Sequence, residues 1–206
     1  MVKLTRKQAK ARTREKLLEG LVQIIRTEGL AGLTTSRVAE RAGVSQSSFY
    51  VHFADMNDAL QEAANAIGGP VRDALSRERR AIDIANPRAT IRRVYDTAVS
   101  SMLAERAFAE LFLALRRDPR SPLGMSFRHI LDGIRSDLIA DLDRLGLSAE
   151  RIPHRHVYVE MIIGHTLAVV EGLLDGRLDD KDQALDAVVD LTILVAMTWL
   201  TPSPSS

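Results

Sequence analysis

The sequence predicts an all-α protein with an amino-terminal three-helix domain and a larger carboxy-terminal helical domain. Apolar residues recur at intervals of three and four along most of the 206-residue chain, which is the spacing of a helix buried on one face. Glycine, proline and capping residues interrupt this pattern where helices would begin and end. No segment alternates apolar and polar residues for long enough to predict a strand. A hydrophobic content of 46% suffices for a buried core.

Charge is distributed unevenly along the chain. Residues 1–52 contain ten Lys or Arg and four Glu, a net charge of +6, whereas the remainder carries −5 within a total of +1. We call the basic residues 1–52 the head and the mildly acidic remainder the body. This distribution of charge predicts that the head alone binds a polyanion. Contacts to phosphates would then give salt-dependent affinity that is independent of sequence.

Several protein classes are disfavoured by composition. The chain has no cysteine, which excludes disulfides and zinc sites built on thiolates. The first residues, MVKLTRKQAKARTREK, lack the apolar segment of a secretory signal. The longest apolar run, Leu191 to Leu200, is about half of the roughly 20 residues that span a bilayer. We therefore expect a cytoplasmic protein without membrane contact.

The first helix is predicted over residues 9–28. Residues 1–8 are expected to form a flexible basic arm, either a solvated tail or a contact to DNA. Gly29 ends the helix. Its core positions at helical spacing are Leu18, Leu21, Val22 and Ile25.

Residues 33–53 predict two short helices joined by a tight turn. Thr34 or Thr35 can cap the first, and Gly43 follows where that helix would end. Ser45 can cap the second, over residues 46–53, which buries Phe49 and Phe53. Gln46, Ser47, Ser48, Tyr50 and His52 are left on its outer face. This arrangement is typical of a helix-turn-helix DNA reader.

The outer face of the second motif helix is expected to enter the major groove. Gln46 can bond bidentately to the N6 and N7 atoms of adenine. Ser47 and Ser48 can approach base edges or thymine methyl groups. Ser45 to His52 is therefore the predicted reading segment.

The motif resembles the signature of TetR-type transcriptional regulators. The residues that carry the resemblance are Thr34-Thr35, Val38-Ala39, Ala42-Gly43-Val44-Ser45, Ser48-Phe49-Tyr50 and His52-Phe53. It implies a DNA-binding domain over residues 1–54, with Thr35 at a phosphate, and Ser36 and Arg37 at a base and a phosphate. It also implies that Tyr50 and His52 clamp the backbone, although both suit half-buried packing. The alternative for the whole motif is an ordinary three-helix core.

One position departs from the family pattern. Many members carry lysine where this chain has Met56, and that lysine meets a phosphate at a helix N-terminus. Methionine cannot form this contact, so backbone affinity is expected to depend more on the basic arm.

Residues 55–200 are predicted to form the effector-binding and dimerisation domain. Asp55 can cap a helix that connects head and body over residues 55–67, and a kink or break is expected at Gly68-Gly69-Pro70. Further helices are predicted at residues 87–103, 106–117, 124–145, 153–175 and 181–200. Residues 201–206 are expected to be a disordered tail.

The last two predicted helices are apolar on more than one face. The first carries Met161, Ile163 and Val170, and the second Val189, Leu194 and Trp199. Such helices must be covered on two sides. The resemblance implies that they pair with their copies in a homodimer; burial within one subunit is the alternative.

The body is expected to hold a pocket for a small apolar or amphipathic effector. The candidate lining residues, each of which could instead be plain core, are Tyr95, Met102, Phe108, Phe112, Phe127, Met161 and His165. Residues 47–55 and 114–118 faintly resemble the subgroup that senses fatty acyl-CoA. Arg116 and Arg117 could meet its phosphates, or form a solvated helix end.

An enzyme is not predicted. Of the five histidines, His156 alone has a ligand-like partner, Glu160, and two groups without a third favour a surface pair. No nucleophile elbow or phosphate loop is present, and no metal or cofactor is expected. Two further rivals are a ligand-independent architectural DNA-binding protein and an interaction module. We predict a regulator that leaves a palindromic operator when its effector binds; repression follows from the resemblance, and activation is the alternative.

Overall fold

The computed structural model describes residues 5–83 and 85–200, without the side chains of residues 198–200. The described residues form nine α-helices, a short 3₁₀ turn at Leu30–Gly32 and no strand, so the all-α prediction is confirmed. The predicted tail, residues 1–4 of the predicted arm and the side chain of Trp199 lie outside the described residues. The helices are α1 Arg6–Glu28, α2 Thr35–Arg41, α3 Gln46–His52, α4 Met56–Arg80, α5 Pro87–Ala104, α6 Arg106–Leu115, α7 Pro122–Arg144, α8 Arg155–Asp175 and α9 Lys181–Leu200.

Helix α1 begins three residues before its predicted start. Thr5 is its N-cap: the Gln8 backbone N–H donates to Thr5 Oγ1 at 3.3 Å, and the Thr5 N–H donates to Gln8 Oε1 at 2.9 Å. This reciprocal pair is a capping box, which satisfies two free donors at a helix start. The expectation of a flexible arm through residue 8 is therefore wrong from Thr5 onward.

Helix α4 continues through the predicted break at Gly68-Gly69-Pro70. Pro70 lies inside the helix, where it cannot donate to the carbonyl of Ala66. Ala66, Gly69 and Pro70 are all exposed, so water can bond the backbone groups that the proline leaves unpaired. An exposed proline thus interrupts one hydrogen bond without ending the helix.

The chain divides into two compact units. One contains the residues up to Gly68 together with Glu105–Arg128, and the other contains Gly69–Ala104 and the residues from His129 onward. The first unit includes α6, which contacts α1 through a hydrogen bond of 3.0 Å from Arg26 Nε to Glu105. The predicted boundary at residue 54 stays a prediction.

The second unit is held by the packing of α5, α8 and α9 against one another. Its most buried side chains include Val99, Val170, Leu185 and Val189. The Tyr95 hydroxyl lies 2.7 Å from Thr192 Oγ1, and burial raises the pKa of Tyr95. Apolar packing from three helices gives this unit its own core.

A buried arginine joins α4 to α7 within the second unit. Arg79 is 3% exposed, and its Nε donates to Asp141 Oδ2 at 2.7 Å. Its Nη2 lies 3.4 Å from Asp137 Oδ2, and Asp137 also accepts 2.7 and 2.8 Å bonds from Arg72. The Arg144 guanidinium donates to the Arg79 carbonyl at 2.9 Å. The charge of Arg79 is thus buried but fully paired, as buried charges require.

The pairing of Asp137 predicts sensitivity to acid. The hydrogen bond from Arg72 holds the pKa of Asp137 below its usual value in the folded state. A carboxyl with a depressed folded pKa stabilises the protein above its unfolded pKa, and that stability is lost as the pH falls through the folded pKa. We expect the melting temperature to fall as the pH drops below about 4, the usual pKa of an aspartate. Asp137→Asn should lower it at pH 7 and make the acid dependence shallower; an unchanged acid slope would contradict this.

Candidate nucleic-acid interface

Helices α2 and α3 are fixed by caps and a glycine turn. Thr34 Oγ1 accepts from the Arg37 N–H and Ser45 Oγ from the Ser48 N–H, both at 3.3 Å. Gly43 has φ +69°, a left-handed conformation that glycine adopts without a Cβ penalty. The Val44 N–H then donates to the Ala39 carbonyl at 2.9 Å and closes the turn. Each feature agrees with the helix-turn-helix predicted from the sequence.

Helix α3 is anchored through two aromatic rings. Phe49 is 0% and Phe53 2% exposed, and their ring centroids lie 5.3 Å apart. With these side chains inside, the opposite face of the helix is left to solvent. The exposed side chains there are Gln46, Ser47, Tyr50 and Val51. Sequence reasoning missed Val51, an exposed apolar side chain that suits contact with a thymine methyl group.

Three predicted DNA-contacting residues are connected to one another on the surface. Gln46 Nε2 donates to Thr35 Oγ1 at 2.9 Å, and the Tyr50 hydroxyl lies 3.4 Å from the same oxygen. These bonds link the start of α2 to the outer face of α3. Tyr50 is 55% exposed, so its hydroxyl can still reach a ligand from solvent.

The serines of α3 are mainly engaged with the cap. Ser45 Oγ lies 2.9 Å from both Ser47 Oγ and Ser48 Oγ. Ser47 is exposed, whereas Ser48 is half-buried. The hydroxyls of Ser47 and Ser48 thus both lie at the capping hydroxyl of Ser45, which helical spacing alone did not indicate.

At the start of α2, Ser36 and Arg37 are both exposed. Arg37 Nη1 donates to the Gly32 carbonyl at 3.1 Å, and the same guanidinium pairs with Glu28. Arg41 lies 3.4 Å from Glu28 as well. A phosphate would have to compete with Glu28 for Arg37, which the sequence pattern did not reveal.

Arg14 of α1 holds the end of the reading helix. Its guanidinium lies 4.4 Å from the centre of the Phe53 ring, donates to the His52 carbonyl, and donates through Nε to Glu62 at 2.7 Å. One side chain thus connects α1, the end of α3 and α4. Burial, followed by the charges of Lys10 and Arg14, lowers the pKa of His52. His52 is therefore neutral near pH 7.

The predicted effector residues fall into both compact units. Phe108, Phe112 and Phe127 belong to the first, where the rings of Phe112 and Phe127 lie 5.1 Å apart. Tyr95, Met102, Met161 and His165 belong to the second. The effector site as a single cluster of these seven residues stays a prediction.

Met161 and His165 line an open depression between α8 and α9. The depression encloses about 270 Å³ of empty space that includes open solvent. His165 Nδ1 is buried there without a hydrogen-bond partner. The other lining residues are Tyr158, Ile162, Leu191, Thr192 and Val195.

Helices α8 and α9 both expose apolar side chains. Leu194 is 64% exposed, and on the same two helices Val157, Met161, Leu191 and Met197 are also exposed. Among the described residues, α8 alone is long and apolar enough to cross a membrane by length and composition, which was not anticipated from the longest uninterrupted apolar run. That is weak evidence for insertion, since apolar helices of soluble proteins meet the same criterion.

Glu160, which has a ligand-like spacing from His156 in the sequence, pairs with Arg135. Glu160 accepts a 3.1 Å bond from Arg135 Nη2, and this interaction with Arg135 lowers the pKa of Glu160. Glu160 is thus part of an ion pair rather than directed at His156. Among the described residues no group of three His, Asp or Glu side chains could hold a metal ion.

Comparison with known proteins finds relatives of the segment that contains α2 and α3. The sequence model for bacterial regulatory proteins of the tetR family matches residues 17–63, which include α2 and α3. The similarity to the tetR family therefore covers the amino-terminal helices of the chain. The chain is also 35% identical over 83 residues to the HTH-type transcriptional regulator BetI 1 of Chromohalobacter salexigens. That match covers 40% of this chain and 41% of the relative.

Solved structures share the fold over most of the chain. The fatty acid degradation regulator FadR of Bacillus halodurans has a TM-score of 0.68 at 17% identity and covers 93% of this chain and 94% of its own. FadR of Bacillus subtilis in complex with stearoyl-CoA has a TM-score of 0.70 at 18% identity, and the match covers 86% of this chain and 96% of that one. A transcriptional regulator from Rhodococcus sp. Rha1 has a TM-score of 0.68 at 22% identity, and the match covers 88% of this chain and 96% of that one. At these identities the similarity concerns the fold.

Proposed function

We propose that this protein is a cytoplasmic transcriptional regulator that binds a palindromic operator as a homodimer and leaves it when a small effector binds. The observation that carries the proposal is the outer face of α3, polar and exposed above two buried aromatic anchors, within the segment that matches the tetR family. A regulator of this kind is a soluble DNA-binding protein. Its activity is binding rather than catalysis.

DNA recognition is assigned to the exposed face of α3 in the major groove. Gln46, Ser47 and Val51 contact base edges, while Tyr50 and Thr35 contact the backbone. Arg14 keeps the end of α3 in place through the His52 carbonyl. The cap of α3 positions its first turn, where recognition helices read bases.

Dimerisation is assigned to α8 and α9. Their exposed apolar side chains are best removed from water by a second copy, because one surface then covers itself through a two-fold axis. A symmetric dimer would present two reading helices, and heads about 34–36 Å apart meet successive turns of the major groove. A palindromic operator follows from that symmetry.

The effector is assigned to an apolar or amphipathic class. The aromatic and aliphatic residues of the body support this, as does the likeness of fold to a regulator solved with stearoyl-CoA. Arg116 donates to the Leu113 carbonyl of its own helix, which favours a structural role at the helix end. Effector binding would select one of two body conformations, with residues 55–67 carrying the change to the head.

The proposal is tested by selection of random duplex DNA with the purified protein at two salt concentrations. A palindromic consensus with half-sites one helical turn apart is the expected result. Binding without sequence preference, steeply weakened by salt, would instead indicate an architectural DNA-binding protein. Absence of binding would refute DNA recognition by α3.

Two alanine variants separate the base contact from the backbone contact. We expect Gln46→Ala to relax the base preference at one position of each half-site, a change of about 1–3 kcal/mol in discrimination. Tyr50→Ala should weaken binding to all sequences alike, because a phosphate contact carries no sequence information. Repeating the selection with each variant measures both effects. An unchanged consensus for Gln46→Ala would mean that another residue reads the base.

A further inference from the structure

The amide of Gln46 is held in one place by a neighbouring helix. Gln46 is the first residue of α3 and Thr35 the first residue of α2, and both start positions are fixed by hydroxyl caps, Ser45 and Thr34. Across this junction Gln46 Nε2 donates to Thr35 Oγ1 at 2.9 Å. Gln46 is exposed, and without the bond to Thr35 its side chain would be free to adopt several conformations in solvent.

The hydroxyl of Thr35 faces the nitrogen end of the Gln46 amide. A threonine hydroxyl has one hydrogen to donate and two lone pairs that accept. Tyr50 OH also lies 3.4 Å from Thr35 Oγ1, and either hydroxyl can be the donor of that contact. Because Gln46 Nε2 donates to a lone pair of Thr35 Oγ1, the Thr35 hydrogen is left for another acceptor, such as a phosphate in the proposed complex. The amide nitrogen therefore faces Thr35 and the amide oxygen faces away.

This arrangement limits what Gln46 can offer to a base. A free glutamine amide has two N–H donors and one oxygen acceptor. Adenine presents an acceptor at N7 and a donor at N6, whereas guanine presents two acceptors, N7 and O6. With one N–H bound to Thr35, Gln46 retains one donor and one acceptor, which match adenine. The two donors needed to bridge both acceptors of guanine are no longer available.

We infer that Thr35 is a specificity-determining residue that makes Gln46 select adenine over guanine. The inference rests on the proposed function, because it requires α3 in the major groove. It separates two roles of Thr35: a phosphate contact would add affinity for every sequence, whereas the bond to Gln46 acts on one base only.

The test compares Thr35→Val, which removes the hydroxyl and preserves the shape, with Thr35→Ser, which retains the hydroxyl. Dissociation constants are measured by fluorescence anisotropy on the selected operator and on a duplex in which the adenine identified with Gln46→Ala is replaced by guanine. For the wild type we expect a preference for adenine of about tenfold. Thr35→Val should reduce this ratio by about fivefold while Thr35→Ser keeps it. Circular dichroism checks that both variants are folded.

A double variant isolates the coupling. In the Gln46→Ala background, Thr35→Val should leave the adenine-to-guanine ratio unchanged, because the residue that it orients is absent. An adenine preference that survives Thr35→Val, with affinity lower for both duplexes, would overturn the inference and leave the proposed function intact. A consensus without adenine at the Gln46 position would also overturn it. A wild-type protein that selects no sequence would refute the proposed function itself.

Discussion

Replacing Leu194 by glutamate should convert the protein to a monomer and weaken operator binding by about 100-fold or more. Leu194 is 64% exposed on α9, beside the exposed Leu191 and Met197. In the proposed dimer a carboxylate at this position would lose water without gaining a partner, and the two-fold axis would bring two such charges toward each other. A monomer also loses the gain in affinity that comes from linking two heads.

Sedimentation velocity and operator titration of the same preparation test this result. Met125→Glu is the matched control, since Met125 is another exposed apolar side chain but lies on α7. The control should remain dimeric with wild-type affinity. If Leu194→Glu also remained dimeric, the exposed face of α9 would not be the interface, and a monomeric wild type would refute the homodimer.

The second large effect is expected from Arg79→Ala, which should lower the free energy of unfolding by about 3 kcal/mol. Arg79 is 3% exposed and pairs with Asp141 at 2.7 Å, so its removal leaves a cavity and a carboxylate that has lost its buried partner. Breaking a buried pair costs about 3–5 kcal/mol. The lower value applies because Arg144 and Arg72 still contact Asp141 and Asp137.

Urea unfolding at pH 7 measures this difference, with Arg80→Ala as the control. Arg80 is the next residue on α4 and is exposed, so its replacement should change stability by no more than about 0.5 kcal/mol. An Arg79→Ala variant as stable as the control would show that the buried ion pair contributes nothing. Arg79→Met should recover part of the loss, because an apolar side chain refills the space.

The head of the protein was predictable because its signals are local. Thr34, Ser45 and Gly43 act within one helical turn of their own positions, and the caps and the left-handed glycine are found where the pattern indicates them. The burial of Phe49 and Phe53 followed from helical spacing. The missed start of α1 was also local, since Thr5 and Gln8 form a capping pattern legible in the sequence.

The remaining features depend on partners that are distant in sequence. The bond between Thr35 and Gln46 spans 11 residues, and the pairing of Arg14 with Glu62 spans 48. Helical periodicity identifies a buried face but not the neighbour that covers it. Pro70 illustrates a related limit, because its tolerance depends on whether water reaches the adjacent backbone.

The residues that hold α3 in place are different from those on its outer face, and this separation affects how binding specificity can evolve. The helix holds its place through Phe49 inside and the caps at either end, while the side chains of Gln46, Tyr50 and Val51 contribute little to the core. Substitutions at exposed sites usually alter stability by less than about 0.5 kcal/mol. In the regulator proposed above, mutation at these positions can therefore explore new operators with little risk of unfolding. The same property makes α3 a suitable segment for grafting chosen specificities onto this scaffold.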